Sequence, residues 1–146
     1  MPTQTQHETP EQRARRIVDQ MMARDAFSQW LGIEVLSVEP GRARVRMTVR
    51  PEMLNGFAVA HGGIAFALAD SALAFASNTC GVVTMTLEST VFYATPVKAG
   101  DVLTAVAEEV SAGRRVALYD VIVTRADGTR VAYVRGTVYR TKQTHA

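Results

Sequence analysis

A single cysteine, Cys80, among 146 residues excludes an intramolecular disulfide and gives no sign of an oxidising compartment. It ends an apolar segment with no histidine near it in sequence, so a buried structural thiol is expected rather than a nucleophile. Histidine is also scarce. His7, His61 and His145 have no metal-ligand spacing, which argues against a metal hydrolase and for a site without metal. No sign of charge predominates, since 16 Lys+Arg against 14 Asp+Glu leave a formal +2. That balance implies no nucleic-acid partner. The first residues, MPTQTQHETP, lack the charged-then-apolar pattern of a secretory signal, so a cytoplasmic protein is expected. One apolar stretch, Gly62 to Cys80, approaches membrane-spanning length. It is rich in Gly, Ala and Ser and carries Asp70 at its centre, where a lone carboxylate is unfavourable in lipid, so no membrane span is expected.

What remains is an ordinary globular composition, 47% hydrophobic and 21% charged, in a chain long enough for one core. Residues 1–10 and the tail 141–146, TKQTHA, are polar and without periodicity, and are expected to be frayed around a single domain over 11–140. Ile17, Val18, Met21 and Met22 recur at helical spacing between Glu11 and Asp25, which predicts an amphipathic surface helix. Phe27, Trp30 and Leu31 are expected to dock the chain behind it. The run IEVLSVEPGRARVRMTV reads as a hairpin turned at Pro40-Gly41, with Ala43, Val45, Met47 and Val49 facing one way and Arg42, Arg44, Arg46 and Thr48 the other. GGIAFALADSALAFASNTC is too apolar all round for a surface helix and predicts a central, buried one. Strands are expected over Val82–Thr95, Val102–Val110, Val116–Arg125 and Arg130–Arg140, with Asp127-Gly128 signalling a type I′ turn between the last two. The fold class is α+β, one helix held by one antiparallel sheet.

The chemistry is expected between Leu54 and Asp70. At 100° per residue the bulky Ile64, Leu68 and Phe75 fall opposite Asp70 and should face the sheet. Gly63, Ala67, Ala74 and Ser77 lie around Asp70, with Phe66 and Leu73 slightly further round. Small residues there would admit a second helix and leave Asp70 in a desolvated seam, where its pKa should rise or a dedicated partner is needed. His61-Gly62-Gly63 stands at the helix start, where free N–H groups and the positive dipole end can hold an oxyanion. Eight residues of helix separate Gly62 from Asp70 by about 12 Å at 1.5 Å per residue. One carbonyl cannot touch both within one subunit, so a site using both must be shared across a two-fold interface.

The segment LNGFAVAHGGIAFALADSALAFASNT, with the TPVKAGD turn and the closing VAYVRGTVYR strand, resembles the hotdog acyl-CoA thioesterases of the phenylacetic-acid-degradation type. The resemblance spans about Phe27 to Arg140 and matches that family's pattern at Asn55, His61, Gly62 and Asp70. It implies an antiparallel sheet wrapped around one long helix, a homodimer or homotetramer, and hydrolysis of acyl-CoA thioesters without a further cofactor, aromatic acyl groups being favoured. Carried over, the Gly62 N–H polarises the thioester carbonyl, Asp70 activates water or attacks directly, and Asn55 and His61 orient the substrate, water or loop. Gly63, Phe66, Leu73 and Thr90 are the expected substrate contacts. Arg42, Arg44, Arg46, Lys98, Arg114 and Arg115 are the candidates for the CoA phosphates. Two departures stand out: Ile64 follows His-Gly-Gly where relatives often carry a polar residue, and Thr95 precedes Pro96 where relatives often carry Arg. A dehydratase or hydratase on the same fold, and a non-catalytic acyl-CoA-binding regulatory module, are the alternatives.

Overall fold

The computed structural model describes residues 7–146; residues 1–6, part of the stretch expected to be frayed, lie outside it. Thr9 belongs to the structure as the N-cap of the first helix, α1 (Pro10–Arg24). Its hydroxyl accepts from the Gln12 N–H while the Gln12 side chain accepts from the Thr9 N–H, and Pro10 fills the first position. Ala14, Ile17 and Val18 are the buried face of α1. Asp25 closes α1 and its carboxylate caps α2 (Ala26–Leu31) by accepting from the Ser28 N–H at 2.9 Å. Only Leu31 of the expected docking trio is buried. Phe27 and Trp30 stay 55% and 59% exposed and stack on each other with ring centroids 6.0 Å apart.

Six strands follow: β1 (Glu34–Glu39), β2 (Arg42–Thr48), β3 (Val82–Tyr93), β4 (Val102–Ala112), β5 (Val116–Arg125) and β6 (Arg130–Thr144). They form one antiparallel sheet in the order β1-β2-β4-β5-β6-β3. The alternation in β2 is as expected, with Ala43, Val45 and Met47 buried, and Pro40-Gly41 makes the turn with Gly41 at φ +75°. The β5–β6 turn differs in type. Gly128 has φ +85° but Asp127 does not have a positive φ, and the Gly128 N–H donates to the Arg125 carbonyl while Arg125 N–H donates to Thr129 C=O. This is a three-residue loop ending in a left-handed glycine rather than a type I′ turn.

The tail also departs from expectation. β6 continues past Arg140 to Thr144 because it keeps a partner: Thr144 pairs with Val82, and the Thr141 hydroxyl donates to the Val83 carbonyl at 2.7 Å. His145 then donates its N–H to Gly81 and sets its ring nitrogen 2.8 Å from the Asn78 side chain. Polarity marked these residues as loose; backbone pairing decides otherwise. Cys80, expected to be buried, is half-buried at the end of the central helix.

That helix, α3 (Gly62–Asn78), packs across the concave side of the sheet with Leu68, Ala69, Ala72, Leu73, Phe75 and Ala76 inaccessible to solvent. It contacts β2, β3, β4, β5, β6 and α1, which is why its sequence is apolar nearly all round. No helix among the described residues is long and apolar enough to cross a membrane. Leu73 packs so tightly on β6 that a Cβ added at Gly136 would come within 2.6 Å of Leu73 Cδ2. Gly136→Ala is therefore expected to lower stability by about 1–3 kcal/mol through overpacking, measured as a fall in the urea midpoint. An unchanged midpoint would mean that Leu73 relaxes freely.

Candidate active site

The loop before α3 is built by Asn55. Its side-chain oxygen accepts from the Phe57 N–H at 2.9 Å, and its own N–H donates to the Val59 carbonyl at 2.8 Å. Ala58 takes φ +59°, an unfavourable left-handed conformation for alanine that this loop holds in place. The chain is then anchored on both sides, Ala60 N–H to Val97 C=O and His61 N–H to Met53 C=O. Asn55 thus orients the loop that delivers His61 to the helix start.

His61 is the N-cap of α3. Its Nδ1 accepts from the Gly63 N–H at 3.1 Å, which fixes the tautomer with hydrogen on Nε2. Gly63, expected as a substrate contact, therefore has its N–H already engaged. The Gly62 N–H is the first of the helix and has no hydrogen-bond partner among the described residues. It stands beside a pocket of about 240 Å³ lined by His61, Gly62, Ala65, Tyr93, Thr95 and Val97, among others. A second cleft, of about 430 Å³, meets the first at His61 and is walled by Phe27, Trp30, Leu54, Gly63 and Ile64.

Asp70 lies on the one open side of α3, exposed in the single chain, with half-buried Ala67, Phe66 and Ala74 around it. Although the side chain reaches solvent, the atoms packed around it partly desolvate the carboxylate and push its pKa above the usual value, and the charge of Asp25 pushes in the same direction. The carboxylate has no hydrogen-bond donor among the described residues. Ser77, expected on this face, is buried.

Two expected substrate contacts need correction. Leu73 is fully buried against β6 and faces the core, not a ligand. Thr90 pairs with Arg135, which is engaged with Asp120 on the outer face of the sheet. The cause is a bulge at Leu87: Thr86 pairs with Val138, but Glu88 pairs with Thr137. Beyond it the alternation inverts, so Thr86, Ser89, Val91 and Tyr93 share the helix side with the inward-facing Val138, Gly136, Val134 and Ala132. The hydroxyls on the helix side of β3 thus include those of Thr86 and Ser89, and Ser89 Oγ is buried without a hydrogen-bond partner. Tyr93 is a further residue that sequence reading passed over; its hydroxyl donates to the Gly62 carbonyl at 2.9 Å. Of the basic candidates, Arg42 and Arg46 are paired with Glu108 and Glu34, whereas Arg44, Lys98 and Arg114 have no ion pair among the described residues.

The described residues thus combine a long helix packed on an antiparallel sheet with a free N–H at the helix start and a raised-pKa carboxylate two turns on. Residues 57–132 match the family model of the thioesterase superfamily. The chain is 38% identical to the acyl-coenzyme A thioesterase PaaI of Escherichia coli over 120 residues, 82% of this chain and 86% of that one. The solved E. coli PaaI from the phenylacetic acid degradation operon superposes with a TM-score of 0.91 at 35% identity, covering 93% of this chain and 99% of that one. A hypothetical thioesterase protein of Streptococcus pneumoniae, solved with coenzyme A, superposes with a TM-score of 0.74 at 31% identity, covering 77% of this chain and 91% of that one. Two solved variants of the latter replace a threonine and an aspartate, sixteen positions apart, by alanine. The chain belongs to the thioesterase superfamily and has its hotdog fold; it is a thioester hydrolase.

Proposed function

We propose that this protein hydrolyses acyl-CoA thioesters to free acid and CoA, with aromatic acyl groups preferred, as a cytoplasmic homodimer that pairs further into a tetramer. The observation that carries the reading is the free Gly62 N–H at the head of a helix that also bears the raised-pKa carboxylate of Asp70. The Gly62 N–H donates to the thioester oxygen and holds the negative charge that develops there. Asp70, ionised, takes a proton from water as the water oxygen attacks the carbonyl carbon. The tetrahedral intermediate collapses with loss of CoA thiolate, which then takes up the proton. Direct attack by the carboxylate, giving a mixed anhydride that water hydrolyses, is the other route the same residues support. Neither route needs a cofactor. Thr86 stands sixteen residues after Asp70 on the helix side of β3, the separation of the two positions varied in the S. pneumoniae thioesterase. We assign it a contact with the attacking water.

The shared site follows from distance and from the open edge of the sheet. Gly62 and Asp70 of one helix are about 12 Å apart, so the Asp70 that acts beside Gly62 comes from a second chain. β3 ends the sheet order and exposes Met85, Leu87 and Phe92. A long apolar edge strand calls for a partner, and a second β3 supplies one while bringing the two open helix faces together.

The aromatic preference rests on the likeness to PaaI and on the cleft at His61 walled by Phe27, Trp30 and Ile64. Phenylacetyl-CoA is expected to give a higher kcat/KM than palmitoyl-CoA in a free-thiol release assay. A clear preference for the long saturated chain would point to lipid metabolism. Ile64 would be the residue responsible.

A further inference from the structure

We propose that Tyr93 is a positioning residue that locks the Gly62–Gly63 peptide and so aims the Gly62 N–H at the substrate; the inference rests on the thioesterase reading above. The lock has two ends. At the carbonyl end the Tyr93 hydroxyl donates to the Gly62 oxygen at 2.9 Å, and at the amide end the Gly63 N–H donates to His61 Nδ1 at 3.1 Å. One peptide plane is thereby held by two side chains, one from the strand and one from the N-cap. The first turn of a helix otherwise frays, because its N–H groups lack partners inside the helix. Fixing this plane restricts rotation about Gly62, the residue whose N–H remains free, in a glycine pair that would otherwise sample many conformations.

The fit between Tyr93 and Gly62 is also steric. A Cβ added to Gly62 would stand 3.1 Å from both Cζ and the hydroxyl oxygen of Tyr93. Glycine lets the ring sit this close; a larger residue, the proline of Gly62→Pro included, makes the half-exposed ring give by a few tenths of an ångström. Tyr93 reaches the helix side only because the Leu87 bulge has inverted the alternation of β3. It also lines the same pocket as Gly62, so the ring shapes the wall beside the residue whose N–H is free.

Tyr93→Phe keeps the ring and removes the hydroxyl. The expected result is a fall in kcat of about tenfold, the scale of one lost orienting hydrogen bond, with KM within about twofold and the melting temperature nearly unchanged. The Gly62→Pro background supplies the control, since it has no Gly62 N–H left to aim. There Tyr93→Phe should change the residual kcat by less than about twofold. The same tenfold fall in both backgrounds would show that Tyr93 acts independently of Gly62 and would overturn the proposal, as would a wild-type kcat in Tyr93→Phe. A readout independent of turnover completes the test: the Gly63 amide should exchange with water faster in Tyr93→Phe, measured by NMR. Unchanged exchange would overturn the lock. Faster exchange in a protein whose wild type releases thiol from no acyl-CoA would leave the lock standing while refuting the thioesterase reading and Tyr93's part in catalysis.

Discussion

Asp70→Asn is expected to lower thioester hydrolysis by about 100-fold to 10,000-fold, the range for loss of a positioned base, while leaving the protein folded. The amide matches the carboxylate in size but neither accepts a proton from water nor attacks a carbonyl. Stability should not fall. Burial raises the Asp70 pKa in the folded chain, with Asp25 adding to the effect, so ionising this group opposes folding. For a carboxylate with a raised folded-state pKa, that penalty is absent below the unfolded pKa and grows as pH rises through the folded one. At neutral pH the Asn variant, which carries no such charge, should melt at the wild-type temperature or slightly above it. Wild-type kcat should rise with pH through the raised pKa, because only the carboxylate form is active, and the Asn variant should lose that limb. Near-normal turnover by purified Asp70→Asn would make the aspartate structural and refute the mechanism.

Mixing two inactive variants should restore activity. Gly62 is the first residue of α3, a position where proline is tolerated because its N–H has no partner within the helix. Gly62→Pro thus deletes the proposed oxyanion donor with limited damage, and activity should fall by about 100-fold or more. The proline ring must still fit beside Tyr93, so dimerisation of the refolded variant is checked first. Gly62→Pro chains are then unfolded and refolded with Asp70→Asn chains. If each site takes its glycine from one subunit and its aspartate from the other, a mixed dimer has one intact site and one doubly defective site. Random pairing makes about half the dimers mixed, so roughly a quarter of wild-type activity should return. Sites contained within one chain would all stay broken. No recovery despite demonstrated subunit exchange would sink the shared site.

Much of this arrangement was legible in the sequence because it depends on neighbours along one element. The periodicity of Ile17 and Val18 gave α1, the alternation in β2 gave its buried face, and the apolar run from Gly62 gave a central helix beginning at that residue. Placing Leu68 and Phe75 against the sheet and Asp70 on the open side needed only the 100° step. The same wheel failed for Leu73 and Ser77, since it fixes direction but not how far the surrounding sheet and α1 wrap. A narrow open strip remains, and both residues fall outside it.

By itself, then, the sequence determined the fold class, the helix that carries Gly62 and Asp70, and the distance that prevents one chain from presenting both to one carbonyl. These follow from local periodicity and helix rise. Tertiary structure alone decided which strand residues meet that helix. The bulge at Leu87 turns Thr90 to the outer face and brings Ser89 and Tyr93 inward, and one extra residue in a two-residue repeat leaves no mark in composition. The hydrogen bond from Tyr93 to Gly62 joins residues 31 apart in the chain, and the pairing of Thr144 with Val82 joins the start of β3 to the end of β6. Such contacts are set by register and by the burial of backbone groups that must find partners, which no single segment of sequence encodes.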